Sequence, residues 1–161
     1  MPPLSRDLRG LTRAWLLLCL ALLLHVIDEA ATGFLRVYNP TVEALRAQLG
    51  WWPMPTFTFV GWLTGLLVLC FVLFSLSLWV VRGSPAARAV ACIFAFIMLA
   101  NAVAHTVATV LGRTVASVTF SRPAPGFWSS PLLFVASIYM LVQLRRTRHA
   151  GKKLKLFAAG N

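Results

Sequence analysis

The chain has 161 residues, a formal net charge of +11, 59% hydrophobic residues and only 12% charged residues. A soluble domain usually carries about 25% charged residues, so this composition argues against a soluble globular fold, and its high hydrophobicity argues against disorder. The length suffices for four membrane spans of about 20 residues each. We therefore predict an all-α polytopic membrane protein: a four-helix transmembrane bundle with a short interfacial helix after the first span.

The positive charges lie between long uncharged stretches and in the C-terminal tail. This placement is typical of residues that anchor the ends of membrane helices, so the expected partner is the lipid bilayer and not nucleic acid. Three cysteines, Cys19, Cys70 and Cys92, lie inside apolar runs without a CxxC pair. We expect them to be buried thiols, neither disulfide-bonded nor bound to zinc.

The first span is predicted from Ala14 to Leu35, which gives about 33 Å of helix. The apolar run stops earlier, at Asp28 and Glu29, where a helix would be too short for a hydrocarbon core of about 30 Å. The span therefore takes the acidic pair into the membrane. A secretory signal peptide is the alternative, but the acidic pair stands where small cleavage-site residues are needed.

Residues 37–55 form a predicted connector on the bilayer surface. Asn39 is expected to cap a short helix, Pro40 suits its first position, and Gly50 is expected to end it. The two tryptophans that follow Gly50 are typical of an anchor at the membrane interface.

Three further spans complete the predicted bundle. The second runs from about residue 56 to 81, the third lies between Arg88 and Arg113, and the fourth covers about 131–144 with a start as early as Phe127. Small residues predict close helix packing on two of these spans. They are the pair Gly61-x-x-x-Gly65 and the series Ala100, Ala104, Ala108 and Gly112.

The distribution of basic residues predicts the orientation. Eleven of the 15 Lys and Arg residues lie in the N-terminal segment, the second connection and the tail. The positive-inside rule then places both termini in the cytoplasm. We expect a multi-pass protein of the cell membrane, with a cytoplasmic N-terminal segment (1–13), a membrane domain (14–144) and a basic cytoplasmic tail (145–161).

Five polar residues lie inside these apolar spans, where such groups are costly and usually face the interior of a bundle. His25, Asp28 and Glu29 are spaced i, i+3 and i+4 and share one helix face. Asn101 and His105 are spaced i and i+4 on the third span and share another. The spacing predicts two polar faces that meet.

The predicted depths of these residues agree. Measured along each helix from the preceding arginine, His25 lies about 18 Å and Asn101 about 20 Å into the membrane. Glu29 lies about 24 Å and His105 about 26 Å along the same direction. We therefore expect His25 beside Asn101, and Glu29 beside His105.

These residue types indicate two kinds of chemistry. His25, Glu29 and His105 can bind a divalent metal such as Zn or Fe, with Asn101 or Asp28 orienting the ligands and a bound water as nucleophile. Without a metal, the same five residues can exchange protons as general acids and bases. We expect a membrane-embedded hydrolase or an isomerase-type acid–base enzyme that acts on a lipid or other apolar substrate.

Non-enzymatic alternatives stay open at this stage. The cluster can serve a small ion or proton transporter, or it can be a structural knot in an assembly factor that binds partner helices. Pairing of the two acids with Arg36 or Arg113 would also neutralise them without any metal.

The motif His25-Val26-Ile27-Asp28-Glu29 resembles the signature of the HXXEE domain family, small integral membrane proteins with no established reaction. Asn101-x-x-x-His105 is similar to an Asn and a His that those proteins carry later in the chain. Pro125-Gly126 is similar to their Pro-Gly segment before the final helix. The resemblance covers residues 14–144 and implies a functional site more than a reaction. Asp28 departs from the family's Glu, and its carboxylate reaches about one methylene less far.

Overall fold

A computed structural model describes the backbone of residues 3–159 and the side chains of residues 8–147. The basic tail side chains beyond Thr147, and His149, lie outside the described side chains. Helices dominate: α1 (Pro3–Thr32), α2 (Leu35–Leu49), α3 (Phe59–Ser75), α4 (Ser77–Val81), α5 (Pro85–Leu111) and α6 (Ser130–Ala159). One antiparallel hairpin, β1 (Arg113–Val115) with β2 (Val118–Thr119), follows α5.

Among the described residues, three helical stretches are long and apolar enough to cross a membrane. They are Leu8–Thr32, Phe59–Val81 and Pro85–Leu111. The first includes Asp28 and Glu29, so the acidic pair lies inside a candidate span, as predicted. The second consists of α3 and α4, which are separated only by Leu76. The chain therefore has the helices of a multi-pass membrane protein.

The core forms where α6 packs along α1 and α5, while α1 also contacts α3 and α4. Fully buried side chains include Trp15 and Leu18 on α1 and Leu133 and Met140 on α6. Small residues on the buried face of α5 allow close approach of a neighbouring helix: Ala87, Ala91, Ala95 and Ala102.

The small-residue motifs that were predicted to pack helices together do not form these helix–helix contacts. Gly61 and Gly65 are exposed, and a side chain added at Gly65 would meet open space. Ala100 and Ala104 are also exposed. Both predictions were wrong about internal packing, because a span that is apolar all round gives no sign of which face meets protein and which meets lipid.

The connector between the first two spans also differs from its prediction. Gly33 adopts φ +78° and ends α1 three residues early, and α2 then begins at Leu35 with Pro40 inside it. The Asn39 side chain does not cap the helix; it donates to the carbonyl oxygen and accepts from the N–H of Phe57, at 2.9 and 3.0 Å. Gly50 ends the helix with φ +69°, as predicted.

The packed helices have two distinguishable ends. At one end, the start of α1 lies against the α4–α5 turn and α6, since a Cβ at Gly83 would lie 3.0 Å from Leu8 and a Cβ at Gly10 would lie 2.8 Å from Gln143. At the other end, α2 packs against the β1–β2 hairpin, which was not predicted. We call the second the site end, because the polar residues of α1 and α5 lie near it.

Two adjacent leucines on α6 provide a test of this packing. Leu133 is fully buried and Leu132 is 47% exposed. Leu133→Ala should lower the free energy of unfolding by about 2–5 kcal/mol through lost contacts and a cavity, and Leu132→Ala by less than about 1 kcal/mol. Denaturation in detergent micelles measures both. Equal losses would contradict the assigned face of α6.

Candidate functional site

Glu29 is the centre of a buried cluster near the end of α1. Its Oε1 lies 3.4 Å from Nε2 of His25, one turn earlier on the same helix, and 3.2 Å from Nε2 of His105 on α5. The three residues are only 5%, 1% and 7% exposed, respectively. One ligand atom from each lies within 4.8 Å of the others, and the two imidazole rings meet edge to face at 4.8 Å. We call this the His–Glu–His cluster.

Asn101 reaches the same cluster from α5. Its Nδ2 donates a hydrogen bond to Nε2 of His25 at 2.9 Å. The structure thus places His25 against Asn101 and Glu29 against His105, the two pairs that the matched depths predict. Four of the five predicted residues therefore meet at one point.

Asp28 does not join the cluster. Its Oδ2 accepts hydrogen bonds from the backbone N–H and the hydroxyl of Ser129, both at 2.8 Å. Ser129 lies immediately before α6, so this carboxylate ties the start of α6 to the end of α1. That Asp28 orients a ligand of the cluster remains a prediction. The contact that would serve this role is the one with Ser129.

Ser129 links Asp28 to the imidazole of His25. Its Oγ lies 2.8 Å from Nδ1 of His25. Since the single hydroxyl proton goes to the charged Asp28 oxygen, the Ser129 oxygen accepts a hydrogen from Nδ1. Nδ1 therefore carries the proton, and the lone pair of Nε2 points into the cluster. No pattern in the sequence distinguished Ser129, which is one serine among several in a loop-forming stretch.

Gly126 packs directly against the His–Glu–His cluster. It adopts φ +80°, its N–H donates to Oγ1 of Thr32 at 3.1 Å, and its carbonyl accepts from Ser130 at 2.7 Å. A Cβ at this position would lie 2.8 Å from Cε1 of His105 and 2.9 Å from Cγ of Glu29. Both the conformation and the space require glycine.

Two cavities adjoin the cluster. A cavity of about 320 Å³ is lined by Glu29 and Arg36, and one of about 140 Å³ is lined by Asn101 and His105. Phe34 lines both cavities. The cluster is buried yet accessible to small molecules from two sides.

The arginines predicted as possible partners of the acids are not used. Among the described residues, neither Asp28 nor Glu29 pairs with Arg36 or Arg113. Glu29 contacts the two histidines instead, so its environment is that of a ligand or acid–base group and not of an arginine ion pair.

Two of the three edges of the cluster suit a metal ion. Two ligands on a tetrahedral zinc, each about 2.1 Å from the ion, lie about 3.4 Å apart, and the two edges from Glu29 measure 3.4 and 3.2 Å. The third edge, between the imidazoles, extends to 4.8 Å, so the two imidazoles must approach each other to share one ion. Two imidazoles and one carboxylate form a ligand set typical of zinc and non-haem iron sites.

Comparison with protein-family models, with curated proteins and with solved structures finds no match to this chain. The resemblance to the HXXEE domain family therefore stays a prediction, and the case for a site depends on the geometry above.

Two adjacent serines test the link to His25. Ser129→Ala removes the acceptor for the Nδ1 proton, so the Nε2-protonated tautomer should become populated and stability should fall by about 1–3 kcal/mol. Nitrogen NMR of the His25 imidazole measures the tautomer. The hydroxyl of the neighbouring Ser130 donates to the carbonyl of Gly126. Ser130→Ala is therefore the control, and it should retain the tautomer of His25. An unchanged imidazole spectrum in Ser129→Ala would exclude the assigned proton position.

Two glycines with similar backbone angles test the covering role of Gly126. Gly50 has φ +69° but open space around it, so Gly50→Ala should cost only the conformational strain, about 1–2 kcal/mol. Gly126→Ala should cost about 1–3 kcal/mol more, because the new methyl group overlaps His105 and Glu29. Thermal unfolding in detergent compares the two variants. Equal destabilisation would show that Gly126 does not press on the cluster.

Proposed function

We propose that this protein is a membrane-embedded enzyme whose His–Glu–His cluster binds a divalent metal such as Zn or Fe and acts on a lipid or other apolar substrate. The observation that carries the proposal is the convergence of three buried ligand atoms within 4.8 Å. Intramembrane ionisable groups usually mark functional sites, and here they border two cavities. Metal-dependent hydrolysis is the reaction class that this donor set serves most directly.

We also propose that the bundle has four spans, with α6 as the fourth, and that both termini lie in the cytoplasm of a cell-membrane protein. The packing of α6 along α1 and α5 supports the fourth span. The basic residues of the α4–α5 turn and of the described end of α6 lie at the end opposite the cluster, which supports this orientation. The motif residues that resemble the HXXEE domain family are those gathered at the cluster, which supports that family assignment.

The protein's own groups have separate tasks in this proposal. A divalent ion supplies Lewis-acid activation of water or of a substrate oxygen. Asp28 and Ser129 hold His25 with its Nε2 lone pair turned inward. That lone pair now accepts from Asn101, and it cannot also bind a metal. Asn101 must therefore release His25 on metal binding, which frees its amide to orient a substrate.

An isomerase-type acid–base enzyme without a metal is the second candidate. The hydrogen bond from Asn101 to the ligand nitrogen of His25 favours it, because the cluster is already complete as a hydrogen-bonded unit. Glu29 and His105 would then exchange a proton directly across 3.2 Å. Metal content separates this candidate from the first.

A transporter is less well supported. Ion or proton passage would require polar groups between the cluster and the opposite end of the bundle. The buried side chains of α1 along that path are apolar: Leu11, Trp15, Leu18 and Leu22. The buried polar side chains of α6 toward that end, Ser137, Gln143 and Thr147, carry no ionisable group.

Metal analysis of purified protein tests the proposal. The parent protein should contain about one equivalent of metal, while Glu29→Gln and His105→Ala should each lose about 10- to 100-fold or more in affinity. Glu43 is exposed on α2, so Glu43→Gln removes a carboxylate without touching the cluster and should retain the metal. Mass spectrometry of the elements, after dialysis against the candidate ions, measures all four proteins.

A parent protein that binds no zinc or iron would remove the metal-dependent form and leave the acid–base candidate. Full metal content in Glu29→Gln and His105→Ala would show that any metal binds elsewhere.

A further inference from the structure

The larger cavity at the site end joins the reactive cluster to a cationic side chain. Glu29 lines one part of it and Arg36 another, and its remaining lining includes the aromatic residues Phe34, Phe59 and Trp62. Its volume of about 320 Å³ is at the lower end of the range for small-molecule sites, about 300–1,000 Å³. We call it the Arg36 cavity. It can hold a polar headgroup, but not a whole lipid.

The Arg36 cavity lies at the end of the candidate span of α1. That span ends at Thr32, and Glu29 lies about 4.5 Å before that residue along the helix. Arg36 lies beyond the Gly33 break, in the first turn of α2. A bilayer crossed by this span would have the boundary of its hydrocarbon core near this end, so the cavity would face the glycerol and phosphate groups of the lipids.

The charge of Arg36 has no counter-ion among the side chains of residues 8–147 that the structure describes. Among the described residues no carboxylate pairs with it, and Glu29, the acid in the same cavity, is engaged by two histidines. A guanidinium binds phosphate oxygens through two parallel hydrogen bonds. The aromatic wall beside it offers apolar contact to the glycerol and upper acyl groups of a lipid.

We propose that the Arg36 cavity binds the headgroup of an anionic glycerophospholipid, with the phosphate on Arg36 and the glycerol end toward Glu29. The acyl chains then lie in the membrane along the exposed face of α3, which begins at Phe59. As a statement about substrate class this rests on the proposed function; as a statement about binding it stands without it.

The smaller cavity does not fit this ligand. It is lined by Asn101 and His105 among apolar residues and has no cationic residue in its wall. A charged phosphate would gain no ion pair there. The structure therefore favours the Arg36 cavity as the headgroup site.

Native mass spectrometry in neutral detergent micelles tests the binding. The probes are dioleoyl phosphatidic acid, neutral diolein and inorganic phosphate. Arg36→Gln should weaken binding of phosphatidic acid by at least about tenfold, the loss expected for one charge-assisted contact, while Arg36→Lys should retain part of the affinity. Arg113 is an exposed arginine at the same end outside the cavity, so Arg113→Gln is the matched control and should bind like the parent.

Three results would overturn the proposal. Equal losses in Arg36→Gln and Arg113→Gln would indicate general attraction between basic residues and anionic lipid. Equal binding of diolein would remove the role of the phosphate. Competition by inorganic phosphate as strong as by the lipid would assign the site to a soluble anion. Metal content, measured on the same samples, separates the lipid-binding proposal from the metal proposal. Lipid binding by a metal-free parent would contradict the metal proposal alone. A metal-loaded parent that binds no lipid would contradict the lipid-binding proposal alone.

Discussion

The buried carboxylate of Glu29 is the constraint around which the site end is arranged. A charge at this depth is tolerated only where a partner donates to it. The imidazole that can donate to Glu29 is that of His105 at 3.2 Å, since Nε2 of His25 at 3.4 Å presents a lone pair. One imidazole comes from its own helix and one from α5, so the carboxylate determines how these two helices meet. Gly126 completes the enclosure, since any side chain at this position would overlap both Glu29 and His105.

Adjacent acids on α1 have different tasks because they face different neighbours. Asp28 turns toward Ser129 and fixes the start of α6, while Glu29, one residue later, turns into the cluster. Asp28 still influences the cluster around Glu29, because its contact with Ser129 sets which nitrogen of His25 carries the proton. The shorter side chain of Asp28 is compatible with this contact, because Ser129 comes to within 2.8 Å through both its N–H and its hydroxyl.

The positions of His25, Glu29, Asn101 and His105 followed from the sequence because helical rise and spacing are fixed by the backbone. Two spans that begin at arginines of similar depth bring equivalent turns to the same level, whatever their side chains. Ser129 could not be predicted, since it acts through loop geometry and not through periodicity, and Gly126 was singled out only by the resemblance of Pro125-Gly126 to a family segment. The packing faces of α3 and α5 were predicted wrongly for a different reason. Lipid and protein interior are both apolar, so the hydrophobic pattern of a span does not indicate which of its faces packs against other helices. The start of α2 was missed because Gly33 allowed a break that propensity alone does not locate, whereas its end at Gly50 was predicted.

The proposed site reconciles a polar cluster with an apolar environment. Glu29 lies about one helical turn before the end of the candidate span of α1, and Gly126 packs against Glu29 and His105. In the proposed function, this position would bring the cluster level with the glycerol and phosphate groups of a lipid, whereas a site at the bilayer centre would meet only acyl chains. The depth of the cluster, and not only its residue types, would then decide which bonds of a substrate it can reach. Arg36, beyond the Gly33 break, would meet the charged part of the same lipid.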